Sequence, residues 1–214
     1  MSTPPAVVWF FRIIHIDNLE FALRSGLFAG THPDRDPDYI FIGDTGLTAE
    51  RFDFPIPLDG NHGNLGEYVP FYLGPRSPML LNIITGFRGV TKRPQEDIVY
   101  LCCRMTDLQA SDLDLLLTDG HAKSWHTQYF TPEDDLQLID WVASGAEDWK
   151  DSERDWDLQR RKQAEGMVRN HVPPTCISFV AVKNEGIALR CKQIIVNLNL
   201  DQQVRVRTSP SIYY

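Results

Sequence analysis

The chain has 214 residues, 43% apolar and 11% aromatic, enough to bury roughly 70% of its unfolded surface, which excludes a disordered polypeptide. A net charge of −8 excludes a surface that is basic all over, so a nucleic-acid partner would have to meet a local patch such as Arg160–Lys162 or Arg88, Lys92 and Arg93. Four cysteines without metal or disulfide spacing, no signal-like N-terminus and no apolar run near the roughly 18 residues of a membrane span predict a cytoplasmic protein outside the membrane.

In chain order, Val7–Ile14 (VVWFFRII) is aromatic and β-branched and predicts a strand. It leads through His15 and Ile16 into a short helix over Asn18–Ser25, with Asp17 as N-cap and Gly26 just past the end. Tyr39–Ile42 predicts a second strand. Residues 53–78 carry Pro55, Pro57, Pro70, Pro75 and Pro78 among glycines and aromatic residues, which predicts a ligand-covering loop rather than a linker.

Asp97–Arg104 (DIVYLCCR) predicts a buried strand whose Cys102 and Cys103 point to opposite faces. TDGHA, 118–122, reads as a polar turn that starts a helix. A further helix is predicted over Pro132–Ala143: Pro132 in its first turn, Glu133, Asp134 and Asp135 at its positive end, and Leu136, Ile139 and Val142 on one face. Residues 147–164 are highly charged and carry Trp149 and Trp156. Cys176–Val182 predicts a strand, Glu185–Leu198 an amphipathic helix and Gln203–Arg207 an edge strand. With no repeat and no linker composition, the pattern predicts one α+β domain over 1–214.

No phosphate-cradling loop, dinucleotide fingerprint or nucleophile elbow is present, and His121 and His126 are five apart, one too many for a helical zinc pair. No metal site is expected. Four segments stand out. HIDN at 15–18 puts a histidine and two polar side chains where a strand meets a helix. EYVPFYLGPRSPM at 67–79 presents Tyr68, Phe71, Tyr72 and Arg76 on a proline-stiffened frame. TDGHA is the third. Glu165 is the fourth, leaving a basic helix end for an apolar stretch. Each also has a plain structural explanation: a capped helix, a braced core loop, a turn, and a weak i, i+4 pair between Arg161 and Glu165.

Taken together, HIDNL at 15–19, YVPFYLGPRSPML at 68–80, TDGHA at 118–122 and RRKQAE at 160–165 resemble DarT, the family of DNA ADP-ribosyltransferase toxins, from about Phe11 to Tyr214. The resemblance implies a single-domain ADP-ribosyltransferase fold with a central β core around an NAD cleft. It further implies transfer of ADP-ribose from NAD to a nucleobase of single-stranded DNA with release of nicotinamide, and a macrodomain antitoxin as partner; a monomer is expected. Glu165 then matches the catalytic glutamate and Arg51, in LTAERFDFP, the arginine beside it. His15, Asp17, Asn18, Tyr72, Arg76 and His121 fall in NAD-contacting segments. Residues 145–162 match the substrate loop, with Arg154, Trp156, Arg160, Arg161 and Lys162 as DNA contacts.

Loss of nicotinamide leaves an oxocarbenium-like charge on the ribose, which a nearby carboxylate stabilises in the transition state. The attacking base must also shed a proton. Glu165 is expected to accept it, its basicity raised by burial and opposed by Arg51. The residues alone leave open a transferase acting on RNA or protein, or a non-catalytic nucleic-acid-binding module.

Overall fold

Alternation of β-branched and aromatic residues dictates the strands that dominate the computed structural model, which describes residues 2–132 and 136–214. The strands are β1 (Trp9–His15), β2 (Leu27–Phe28), β3 (Tyr68–Tyr72), β4 (Ile98–Arg104), β5 (Leu115–Thr118), β6 (Tyr129–Phe130), β7 (Glu165–Arg169), β8 (His171–Val172), β9 (Ile177–Val182) and β10 (Arg205–Thr208). The α-helices are α1 (Leu19–Ser25), α2 (Thr45–Phe52), α3 (Pro78–Thr85), α4 (Met105–Ala110), α5 (Trp141–Gly145), α6 (Leu158–Arg161) and α7 (Glu185–Asn197). The main sheet runs β10-β9-β4-β1-β3-β7-β5-β6, while β2 and β8 pair separately. In the main sheet β9 and β10 are parallel and the other neighbours antiparallel.

The sheet is nearly split in the middle. β1 pairs with β4 along its whole length, and β3 does the same with β7, yet β1 and β3 share only the pair Phe11↔Tyr72. The residues around this single link, Phe11–Ile13 and Tyr68–Tyr72, line a cleft that α1, β2 and α2 complete. On one face Phe10, Leu101, Cys103 and Val180 pack with Leu19 and Leu23 of α1 and Ala188, Cys191 and Ile195 of α7. On the other, Ile13, Tyr100 and Cys102 pack with Leu80 and Ile83 of α3 and with Tyr213. Cys102 and Cys103 thus serve opposite faces, as the strand period requires.

The strands at β1, β4 and β9, the helix α7 and the edge strand β10 follow the sequence expectation closely. Tyr39–Ile42 does not: it is irregular, held instead by the Asn18 amide, which donates to Ile40 O and accepts from Ile40 N, each at 2.9 Å. The expected loop over 53–78 contains β3, a central strand. Pro70 is tolerated there because its carbonyl faces β1, where Arg12 Nη1 donates to it at 2.9 Å, so its missing N–H falls where the ladder is broken.

Asp17 is not the helix cap. His15 caps the preceding turn, its Nδ1 accepting from Asp17 N at 3.2 Å, and the Asp17 carboxylate pairs with Arg190 of α7. TDGHA starts no helix; Ser124 N bonds to His121 O and Thr127 N to Ser124 O, and Asp119 accepts from Gln128 N, closing the β5–β6 connection as a string of turns. The helix expected over Pro132–Ala143 is broken into a single turn at Leu136–Leu138 and then α5, because Asp140 caps a new start by accepting from Val142 N and Ala143 N. Its acidic start, Glu133 to Asp135, lies outside the described residues. No helix among the described residues is long and apolar enough to cross a membrane.

Candidate active site

Glu165 opens β7, and the TDGHA turn is built around it. The Glu165 backbone N–H donates to Thr118 Oγ1 at 3.1 Å, and that hydroxyl donates to Gly120 O at 2.7 Å, which pins the strand entry. Two residues further, Ala122 N donates to Glu165 Oε1 at 2.9 Å. From α2, Arg51 places Nη1 3.0 Å from Oε1 and Nη2 2.8 Å from Oε2, a forked contact that only a guanidinium makes. Arg51 reaches this point from the last turn of a helix started by the Asp44 cap on Leu47 N.

The glutamate is only 5% exposed. Burial pushes its carboxyl up, but the Arg51 charge and hydrogen bonds, His121 and the Ala122 amide outweigh that, holding the group below the usual carboxylate range. This corrects the expectation that burial leaves Glu165 with raised basicity. Burial also works against the Arg51 charge, and the carboxylate more than restores it. His121 moves the other way: burial, against the pull of Glu165, lowers its imidazole, so it is neutral near pH 7.

Glu165 lies opposite Tyr72 across the β3–β7 ladder, and Tyr72 lies opposite Phe11 at the one link between the half-sheets. The carboxylate therefore stands beside the split. The cleft there has a volume of about 780 Å³, and Arg12, Asn18, Arg51, Tyr72, His121 and Glu165 all line it. That volume falls in the 300–1,000 Å³ range of ordinary ligand sites.

Other expected site residues lie elsewhere. His15 is buried behind the cleft, with Nε2 4.0 Å from Asp97 Oδ2, and neither it nor Asp17 is in the lining. Arg76 also stays out: Nε donates to Tyr213 O at 3.0 Å and Nη1 pairs with Glu147 at 2.7 Å, tying down the final residues. The expected cationic track is largely consumed by internal partners. Arg160 bonds Asp157 and Asp119; Arg161 pairs with Asp140, Asp155 and Asp157; the acidic stretch around them supplies these counter-ions. Lys162 is 1% exposed, donating to Pro75 O and Ser144 O at 2.7 Å each. Arg154 and Trp156 are exposed. Arg161 does not pair with Glu165, which is held by Arg51 instead.

Arg12 is among the lining residues to which no sequence motif pointed. Arg12 sits mid-strand in WFFRII; Nη1 bonds Pro70 O, while its buried Nε finds no partner among the described residues. A lone guanidinium inside an apolar strand was the available signal, since such a charge needs a partner or a ligand.

A family model described as DarT, ssDNA thymidine ADP-ribosyltransferase, matches residues 11–214. The chain belongs to the DarT family. A DNA ADP-ribosyl transferase from Escherichia coli O127:H6 is 34% identical over 208 residues, covering 97% of this chain and 94% of that one. Thermus sp. 2.9 DarT in complex with ADP-ribosylated ssDNA superimposes with a TM-score of 0.89 at 30% identity, over 100% of this chain and 99% of that chain. The same protein in complex with NAD+ gives 0.83 at 29%, over 99% and 100%. A DNA ADP-ribosyl transferase–DNA ADP-ribosyl glycohydrolase fusion protein from Thermosipho africanus is 24% identical over 192 residues, 89% of this chain and 46% of the fusion.

This chain is accordingly an NAD-dependent DNA ADP-ribosyltransferase of α+β fold, with NAD as its ADP-ribose donor. In the cleft wall the Glu165 carboxylate is kept ionised by three N–H donors, two from Arg51 and one from Ala122.

Proposed function

We propose that Glu165 and Arg51 carry the transfer and that the acceptor is the thymine ring of single-stranded DNA. The observation behind this reading is the forked Arg51–Glu165 contact in the cleft wall. The glycosidic bond of NAD breaks with its electron pair going to nicotinamide, which leaves neutral. The ribose carbon, electron-poor in the transition state, is stabilised by the Glu165 charge. With its ring attached to deoxyribose, thymine offers one N–H; that nitrogen forms the new bond to the ribose carbon and its proton departs. Glu165 takes this proton once the incoming base draws an Arg51 N–H away from one oxygen, which removes part of what holds the carboxyl low.

Tyr72, His121, Asn18 and Arg12 line the NAD site in this reading, and His15, Asp17 and Arg76 lie outside its lining. Arg154 and Trp156 meet the DNA strand. Residues 1–214 act as one domain, as a monomer in the cytoplasm. The protein serves as a toxin held in check by a macrodomain glycohydrolase; the fused Thermosipho relative, which joins the two activities in one chain, supports that pairing. The test is mass spectrometry of thymine-containing and thymine-free oligonucleotides after incubation with NAD. Only the former should gain one ADP-ribose, on thymine, and Glu165→Gln should abolish the gain.

A further inference from the structure

Two indoles stand out on the surface. Trp125 is 92% exposed and Trp156 is 73% exposed. They come from different loops, one following TDGHA and one preceding α6, yet they flank the same side chain. The His126 ring centroid lies 4.8 Å from that of Trp125 and 6.1 Å from that of Trp156. Beneath the rings the two loops are fastened together: His126 Nε2 is 3.1 Å from Asp157 Oδ1, and Arg160 donates to both Asp157 and Asp119. Gly120 is needed here, because a Cβ at that position would overlap the Arg160 guanidinium.

The same fastening reaches the catalytic carboxylate. Arg160 O accepts from His121 N at 3.1 Å, and the next residue, Ala122, donates to Glu165. The aromatic step thus has a fixed position relative to the reacting centre. Its charge environment is also unusual for a DNA contact. Arg160 and Arg161 are neutralised internally, Lys162 is buried, and Asp155 and Asp157 lie alongside. Apart from the exposed Arg154, such a surface offers few cations to phosphates. The face of a base carries no net charge, and stacking on an aromatic ring tolerates this setting.

We propose that Trp125, His126 and Trp156 form a stacking step for a base flanking the modified one in single-stranded DNA. The proposal rests on the DNA-transfer reading but concerns how the strand is held. Stacking on one aromatic ring changes affinity by roughly 5- to 150-fold per base. An exposed indole pair on two loops fastened together, one of which also holds Glu165 through Ala122, would set strand register rather than chemistry.

The test uses Trp125→Ala, Trp156→Ala and the double variant, with the KM for an oligonucleotide and the affinity for carba-NAD measured side by side. We expect the oligonucleotide KM to rise about tenfold per indole removed, carba-NAD affinity to stay constant, and Phe at either position to recover most of the loss. An abasic nucleotide beside the target should raise KM for the wild type and not for the double variant. An unchanged oligonucleotide KM in the double variant overturns the proposal and leaves the indoles to a protein partner. A parallel fall in carba-NAD affinity also overturns it, making the rings supports of the catalytic loop. If the wild type labels no DNA at all, the DNA-transfer reading itself has failed, a result distinct from either.

Discussion

Arg51 and Glu165 are 114 residues apart in sequence and meet in a two-point contact, Nη1 to Oε1 at 3.0 Å and Nη2 to Oε2 at 2.8 Å. Each largely buried charge is the other's counter-ion, so removing one strands its partner at a cost of about 3–5 kcal/mol. Glu165→Gln should therefore lose both labelling activity and thermal stability. The double variant Arg51→Met, Glu165→Leu should regain stability and remain inactive. Recovery of activity in the double variant would show that the pair is structural only.

The same pair sets an acid limit. The folded Glu165 carboxyl lies below its ordinary value of 4.5, held there by Arg51, His121 and the Ala122 amide against the upward push of burial. A group depressed by folding contributes stability that is full above 4.5 and is lost as pH falls through the folded value. Urea-unfolding curves between about pH 3 and 7 should be steeper in pH for the wild type than for Glu165→Gln. Parallel curves would remove the carboxylate from the acid transition.

Gly166 is the residue after the glutamate, and a Cβ there would run into the Phe10 ring. Gly166→Ala should cost about 1–3 kcal/mol through overpacking and should lower the labelling rate by displacing Glu165. Adding Phe10→Leu makes room and should restore part of both. A fully active, fully stable Gly166→Ala would mean that Phe10 moves freely, which its complete burial opposes.

Patterns of period two and short-range caps were legible in the sequence, which is why β1, β4, β9 and α7 follow from composition alone. β3 was not legible, because Pro70 marks a loop unless one knows that the neighbouring ladder stops there. At the site, Glu165, Arg51 and His121 were reached through family motifs. The roles of Thr118 and Ala122 depend on backbone geometry that no spacing rule encodes. Basic residues at 160–162 suggested a DNA track because the sequence does not reveal that Asp119, Asp140, Asp155 and Asp157 converge on Arg160 and Arg161, or that Lys162 is buried against two carbonyls. Long-range ion pairs of this kind appear only once the chain is folded.

Arg76 ties the chain end rather than lining the cleft, and this separates two roles experimentally. Its Nε donates to Tyr213 O, and the Tyr213 hydroxyl lies 3.0 and 3.1 Å from Ile98 O and Ala181 O, sharing its one proton between β4 and β9. Arg76→Ala should lower the melting temperature while leaving carba-NAD affinity near wild type. The exposed partner Glu147 adds little, so Glu147→Ala should be almost silent. A collapse of NAD affinity at unchanged stability would return Arg76 to the binding site.

Lys162 carries the last prediction, because an ammonium is rarely so enclosed. It is buried between Pro75 and Ser144, whose carbonyls it binds, and an added Cβ at neighbouring Gly74 would strike the Ser144 backbone. Burial, helped by the Arg76 charge, pulls its pKa from 10.5 down to about 8. Between those values the unfolded chain keeps a proton that the folded protein has released, so stability rises with pH across that window. The neutral amine still has two N–H groups for its two acceptors, so losing the proton leaves both hydrogen bonds in place. Lys162→Met cannot titrate and leaves both carbonyls unpaired, at about 1–3 kcal/mol each. The stability difference between wild type and Lys162→Met should be flat below pH 8 and grow above it. Groups common to both proteins cancel in that difference, so a flat line up to pH 10 would mean that this lysine stays protonated inside the fold.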